Sequence, residues 1–432
     1  MTVVPPIPPV GPGGEGDRGF IPDRGLAPEA AMQAILSCTD LLPPVRLPLE
    51  LGLGRVLSAP VQAGESVPPF TNSAMDGYAA RAQDLSAATL TRPVRLQVLA
   101  DLPAGKRSDL TVGPGQAVRI MTGAPLPAGA DCVVPVEETD AGTAQVEIRR
   151  ALAAGFHVRR AGEDVQAGDP LLDTGTVLRP AELGLLAAVG CSQVSVHPAA
   201  RVGIITTGDE LAGPGEVLLP GQIRDTNSVT MAAQVRAFGG VPLLYPRVRD
   251  TRAAVREAVE EAVQRSDLVL TSGGVSVGEY DFVKAVLAEM GARPVFWRVA
   301  QKPGNPLAFW VLHGKPVLGI PGNPVATLVC LELYVRPVVR RLMGHGRLFR
   351  PERQARLADG YRGRADGRQH FLRVQVQERE DGLVAQITGP QGSAILSSMA
   401  AANALALIPP DVAEIPPLGQ VQVQLTELPE DH

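Results

Sequence analysis

Cysteine, lysine, excess charge and long apolar runs are all scarce in this chain of 432 residues. Its four cysteines, Cys38, Cys132, Cys191 and Cys330, lie far apart. They form no C-x-x-C pair and have no nearby histidine to complete a zinc set, so a reduced, cytoplasmic setting is expected. A net charge of −5, from 45 acidic and 40 basic residues, lacks the basic footprint that holds a nucleic-acid backbone. No window reaches about 18 apolar residues and no basic stretch precedes an apolar core at the amino terminus, so neither membrane spanning nor export is expected. Of the 40 basic residues only Lys106, Lys284, Lys302 and Lys315 are lysine. Arginine in place of lysine is therefore background here, whereas a lysine kept in a loop carries information.

What is present is a chain 45% hydrophobic, with 46 glycines and 40 prolines, hence many turns. It is too long for one core and divides into units of about 100 to 150 residues. Residues 1–25, rich in Pro and Gly, read as a disordered tail. The G-x-G-x-x-G at 11–16 has no strand before it and no helix after it, so it is not a dinucleotide fingerprint. Residues 26–65 and 161–197 read as the halves of a split N-terminal domain, and 66–160, with short Val/Ile/Leu runs broken by Gly and Pro, as an inserted β-rich domain. Residues 198–345 alternate strands and helices, the signature of an α/β domain on a parallel or mixed sheet, its last helix running from 324 to 342. Residues 346–428 alternate in period two and read as a C-terminal β domain. The fold class is thus α/β plus β, multidomain.

The chemistry-bearing loops share one address, the carboxyl ends of the α/β strands, where open sheets bind ligands. They are Thr206–Leu211, Ser272–Asp281, Lys302–Pro306 and Gly319–Pro324. Gly273, Gly274 and Gly278 let backbone approach a phosphate, and Ser272 and Ser276 add hydroxyl donors. Glu279-Tyr280 stands where a Walker loop needs Lys-Ser/Thr, so the anion site is of another kind. Pro321-Gly322-Asn323-Pro324 follows an apolar strand and is a second loop exposing backbone N–H groups. Asp209, Glu210, Glu279 and Asp281 would repel a phosphate unless a hard divalent cation bridges them, which suggests magnesium, with Lys302 neutralising the remaining charge. Singly, these acids also read as helix caps and Lys302 as a solvated cation. It is their grouping on one edge that favours the site. Asp76-Gly77 reads on its own as a hairpin turn and Thr122 as a loop residue.

Seven segments in this order resemble the molybdopterin molybdenumtransferase family, to which the E domain of gephyrin also belongs. They are P-P-F-T-N-S-A-M-D-G-Y-A at 68–79, R-I-M-T-G-A-P-L-P at 119–127, R-R-A-G-E-D at 159–164, T-G-D-E-L at 207–211, D-T-N-S at 225–228, S-G-G-V-S-V-G-E-Y-D at 272–281 and G-I-P-G-N-P-V-A at 319–326. The resemblance covers about residues 28 to 428. It implies a homodimer with its active site between subunits, inserting molybdate into adenylylated molybdopterin with release of AMP and with magnesium present. The pathway's adenylyltransferase is implied as a further partner. Asp76, Asp164, Glu210, Asp250 and Asp281 match the family's functional acids, Thr122 its hydroxyl, and Lys302 and Arg373 its cations. Glu210 and Asp281 would hold or orient magnesium. The loop carrying Ser272, Gly273, Gly274, Ser276 and Gly278, with Pro321, Gly322, Asn323 and Pro324, matches the cradle for the pterin phosphate.

Two departures stand out. Where the family often has K-V-A-x-K-P-G-K-P, this chain has Arg298 and Asn305 at the first and last lysines, so one cation is gone. The stretch Gly392–Ala400 has alanine where the family often has histidine. Alternative readings are a tungstate-using paralogue, a non-catalytic molybdopterin carrier or scaffold, and a nucleotide-dependent dehydrogenase. The last is undercut because its one fingerprint lies in the tail.

Overall fold

The computed structural model describes residues 25–245, 247–273 and 282–427. The tail expected over 1–25 and the loop positions Gly274, Ser276, Gly278, Glu279 and Asp281 therefore lie, but for Gly25, outside the described residues. Two compact units emerge. One takes the chain up to Val45, Gly54–Val56 and everything from His197 on, and the other takes Arg46–Leu53 and Leu57–Val196.

In the first unit six strands form one sheet: β1 (Arg201–Thr206), β2 (Val241–Leu244), β3 (Leu268–Ser272), β4 (Arg293–Trp297), β5 (Ala308–Leu312) and β6 (Lys315–Ile320). Their order is β2-β1-β3-β6-β5-β4. β2, β1, β3 and β6 are parallel, while β5 runs antiparallel to both β6 and β4, so the sheet is mixed. Period-two alternation sorts its side chains between two cores. Val202, Ile204, Leu268, Leu270, Leu318 and Ile320 face the cluster that holds Met231, Tyr334 and Val338. Ile205, Val269 and Val317 face the one that holds Val255, Val259 and Val286. A sheet covered on both faces accounts for strands such as Leu268–Ser272 that are buried throughout.

The helix expected over 324–342 is Pro324–Cys330, a π turn at Leu331–Val335, and Arg336–Leu342. Pro337 lacks the N–H that would bond the carbonyl four residues back, which breaks the regular ladder there. Helix Pro28–Ser37 buries Ala31 and Ile35 in the cluster that also holds Val338 and Leu342. Past it, Glu352–Leu357, Gln369–Arg379, Gly382–Ile387, Ala404–Ile408 and Gly419–Leu425 close into a small barrel, because Gln369–Arg379 pairs with both Gly382–Ile387 and Ala404–Ile408. Closure leaves no free edge around that ring.

In the second unit Cys132–Pro135, Gly77–Ala80, Gln116–Ile120, Val94–Leu102 and Gln145–Ile148 make a five-stranded sheet in that order. Gly77 is not in a hairpin turn, as its Asp-Gly pair suggested, but opens a buried strand paired on both sides. A Cβ there would sit 1.9 Å from the Val134 carbonyl oxygen, so only glycine allows the approach. Among the described residues no helix is long and apolar enough to cross a membrane.

Candidate functional site

Three of the predicted loops follow neighbouring parallel strands of the first unit: Thr207–Glu210 after β1, Gly273 after β3 and Pro321–Asn323 after β6. The link from β4 to β5, which contains Lys302, leaves from the same edge, since Trp297 pairs with Ala308 and Ala308 with Gly319. The sheet thus brings Glu210, Ser272, Gly273, Lys302, Pro321, Gly322, Asn323 and Pro324 to one side, as the crevice rule for open α/β sheets expects. Gly322 is exposed, and among the described residues nothing lies within 4 Å of where a Cβ would stand. Its carbonyl is held by Asn227 Nδ2 at 2.8 Å, and its Cα side is open to a ligand.

Asp250 joins this edge because Val248 bridges to Thr207. Burial, then the charges of Glu210 and Asp209, push its carboxyl above the usual range. Two neighbouring carboxylates thus add to the effect of burial there. Carboxylate oxygens are the donors a hard cation prefers. Among the described residues, though, no group of three or more His, Cys, Asp or Glu is gathered closely enough to hold a metal ion.

Lys302 extends from a rigid support. Gln301 beneath it is fully buried and accepts from the Tyr334 hydroxyl, while its Nε2 donates to the Pro303 carbonyl at 2.9 Å. Lys302 itself is exposed, and the two-residue strand Gln301–Lys302 pairs with Gln369 and His370 of the barrel. It opens on a cleft of about 710 Å³ also lined by Arg362, Arg364, Arg368, Tyr361 and His370. Arg362 is paired with Glu414 and Arg368 with Asp366, yet with Lys302 and Arg364 the lining keeps an excess of positive charge, which suits the cleft to an anion. At its base Tyr361 Oη lies 2.8 Å from His370 Nδ1, and His370 Nε2 lies 3.2 Å from Asp366 Oδ1.

Arg373 lines the same cleft but is only 1% exposed, and burial lowers its guanidinium to about 10. Its donors are occupied: Nη1 on the Gln391 carbonyl, Nη2 on those of Pro390 and Gly392, and Nε on Ser398 Oγ, at 3.0 to 3.1 Å. Next along the chain, Ser393 Oγ accepts from Asn323 Nδ2 at 3.2 Å and its carbonyl accepts from Val325 N at 3.1 Å. Arg373 therefore braces a loop that in turn braces Pro321–Pro324. Ser393 carried no sequence signal beyond its place in an irregular stretch.

The two departures at the lysine positions have local uses. Arg298 lies over the Trp297 ring, with its carbon 5.5 Å from the centroid, in the left-handed region at φ 79°. Asn305 Nδ2 donates to the Val299 carbonyl at 2.7 Å and its own carbonyl accepts from Val299 N, clasping the loop that presents Lys302.

In the second unit Asp76 and Thr122 meet: Thr122 donates both its backbone N–H and its hydroxyl to Asp76 Oδ1. These bonds, the hydroxyl's first, hold the carboxyl below its usual range. Asp164 is exposed, and its backbone N–H donates to the Val67 carbonyl.

The chain matches three family descriptions in succession: "MoeA N-terminal region (domain I and II)" over residues 26–190, "Probable molybdopterin binding domain" over 203–341, and "MoeA C-terminal region (domain IV)" over 354–425. It is 42% identical over 385 residues to molybdopterin molybdenumtransferase 2 of Mycobacterium tuberculosis, covering 88% of this chain and 94% of that one. It is 39% identical over 361 residues to the molybdopterin molybdenumtransferase of a Nostoc species, with 82% and 83% covered. Among solved structures it is similar to a molybdopterin biosynthesis moeA protein from Pyrococcus horikoshii, at 30% identity and a TM-score of 0.74, over 93% of this chain and 99% of that one.

Proposed function

The chain belongs to the molybdopterin molybdenumtransferase family, and from that premise we infer that it transfers molybdenum to molybdopterin, molybdate joining the dithiolene of adenylylated molybdopterin while AMP departs. The observation that carries this reading is the convergence of the Glu210, Ser272, Gly322 and Lys302 loops on one sheet edge beside a cationic cleft. The substrate phosphates and the oxyanion are all negative, and such a site needs backbone donors and fixed cations.

In this reading Ser272, Gly273 and the Pro321–Pro324 loop, with Gly274, Ser276 and Gly278, cradle the pterin phosphate. Lys302 faces the anionic reactants, while Arg373 positions the Pro321–Pro324 loop through Ser393. Glu210 and Asp281 hold magnesium. The absence of a three-residue cluster among the described residues is compatible with this, because magnesium commonly takes one or two carboxylates, with water and substrate phosphates completing its shell. Bound there, the cation would polarise the phosphoanhydride. Asp250, crowded by Glu210 and Asp209, supplies further negative charge to that corner. Asp76, Thr122 and Asp164 act near the metal substrate. The same reading makes the protein a cytoplasmic homodimer with the domain division expected from the sequence, and makes the pathway's adenylyltransferase a partner.

The test is AMP release from adenylylated molybdopterin mixed with the protein, magnesium and molybdate, with tungstate and no-oxyanion controls. Molybdate-dependent release, with product that activates a cofactor-free molybdoenzyme, is expected. Tight substrate binding without release would make the protein a carrier and overturn the transferase reading.

A further inference from the structure

One helical turn ties together three strand ends at this edge. Asp225 caps helix Thr226–Ala237, its Oδ1 accepting from Ser228 N at 3.0 Å. Its Oδ2 accepts from the hydroxyl of Thr206, the last residue of β1, at 3.0 Å. Two residues on, Asn227 Nδ2 donates to Ser272 Oγ at 2.8 Å and to the Gly322 carbonyl at 2.8 Å. Ser272 ends β3 and Gly322 follows β6, and β1, β3 and β6 are adjacent. Asn227 is 9% exposed, and its Oδ1 is buried with no partner among the described residues.

The chemistry of these bonds requires an amide. The Gly322 carbonyl only accepts, so the group facing it must donate, and an amide NH2 has two hydrogens for two acceptors. A carboxylate would set an acceptor against that carbonyl and add a buried negative charge beside an anion site. The bond also orients Ser272: with its oxygen accepting from Asn227, the hydroxyl proton is left to donate elsewhere.

We propose that Asn227 is a positioning residue for the pterin substrate, fixing the spacing of the Ser272 and Gly322 loops and aiming the Ser272 hydroxyl at a substrate phosphate oxygen. This rests on the reading of that edge as the phosphate cradle. Asn227 acts through the two loops. It is not itself a catalytic residue.

The test compares Asn227→Asp and Ser272→Ala with the wild-type homodimer or monomer as purified, measuring dissociation constants for molybdopterin by calorimetry, and KM for adenylylated molybdopterin and for molybdate separately. Loss of two hydrogen bonds, one to an oriented donor, should weaken molybdopterin binding and raise the pterin KM roughly 10- to 100-fold. The KM for molybdate should stay within about threefold, a selectivity that general damage to the fold would not produce. Combining the two substitutions should add little beyond Asn227→Asp alone, since that variant already leaves the Ser272 hydroxyl without its orienting donor. If Asn227→Asp does not fold, Asn227→Ser, which keeps a donor but cannot reach both acceptors, takes its place with the same readouts and the same overturning result. Wild-type pterin affinity in Ser272→Ala, or equal KM shifts for both substrates in Asn227→Asp, would overturn the proposal. The calorimetric constants keep the two readings apart: wild-type protein that binds molybdopterin yet releases no AMP from adenylylated molybdopterin would refute the transferase and still report on Asn227.

Discussion

Asp76 Oδ1 accepts two bonds from one residue, the Thr122 backbone N–H at 2.7 Å and the Thr122 hydroxyl at 2.6 Å. The aspartate comes from the start of strand Gly77–Ala80 and the threonine from just beyond Gln116–Ile120, two strands paired side by side. The sheet register, not either loop alone, makes the pair.

Thr122→Val removes the hydroxyl donor and leaves the N–H. The Asp76 carboxyl then rises toward its ordinary value, because the hydroxyl is the largest cause of its lowering. A depressed carboxylate contributes above its unfolded pKa and loses that contribution as pH falls through the folded one. The acid limb of the activity profile should therefore move to higher pH in Thr122→Val, and a carboxyl titration followed by NMR should place Asp76 higher. Superimposed acid limbs would count against a role for the pair in turnover.

Arg373 should behave as a structural brace with a functional consequence. Arg373→Leu leaves the carbonyls of Pro390, Gln391 and Gly392 without their charged donor, at a loss of roughly 3 kcal/mol. Arg373→Lys keeps a charge but cannot reproduce the forked geometry. Both variants should unfold at lower temperature, and both should raise the KM for the pterin substrate through the slackened Ser393 to Asn323 contact. A lysine variant with wild-type melting temperature would mean that charge alone suffices.

Much of this was legible in the sequence. Alternating apolar segments and Gly-rich loops place Glu210, Ser272, Lys302 and Gly322 on one edge because strand and helix periods are local properties. The alternation of strands and helices does not announce strand Ala308–Leu312, although His313 and Gly314, at φ 50° and 74°, form the tight left-handed turn of a hairpin to Lys315–Ile320. That strand is what makes the sheet mixed. Asp76-Gly77 misled for the opposite reason, since an Asp-Gly pair signals a turn locally while the need for glycine here comes from Val134 on a neighbouring strand. The ties made by Asn227, Arg373 and Ser393 join residues 17 to 95 positions apart, and no local pattern encodes them.

Glu210→Gln tests the cation. If Glu210 is a magnesium ligand, the magnesium concentration for half-maximal AMP release should rise roughly 10-fold or more, with the maximal rate partly restored at high magnesium. An unchanged magnesium dependence would remove Glu210 from the metal site and leave it as a neighbour of Asp250.

Asn305→Lys puts back the lysine common at this position. It also removes the Nδ2 bond to the Val299 carbonyl, and such a bond contributes about 1 kcal/mol. The variant should therefore be less stable by that amount in urea unfolding, whatever the added charge does for substrate affinity. A stability equal to wild type would show that the clasp contributes nothing.

His345 sets an acid limit on stability that is separate from the site. It is 8% exposed, its Nδ1 has no partner among the described residues, and burial, followed by the charges of Arg340 and Arg336, lowers its pKa to about 4 from 6.5. The native state thus favours the neutral ring. Below the ordinary value the unfolded chain takes up a proton that the native chain refuses, so stability is complete above about 6.5 and drains away as pH falls toward about 4. Partial screening by solvent reduces the full linkage to about 2 kcal/mol. His345→Gln, which cannot be protonated, should lose correspondingly less stability than wild type between neutral pH and the acid end of that window. Urea unfolding of both proteins at the two ends isolates this difference, because the carboxylates they share titrate alike. Parallel losses in the two proteins would mean that the wild-type ring is free to charge in the folded state, either by turning to solvent or because Arg336 and Arg340 lie too far away to oppose it.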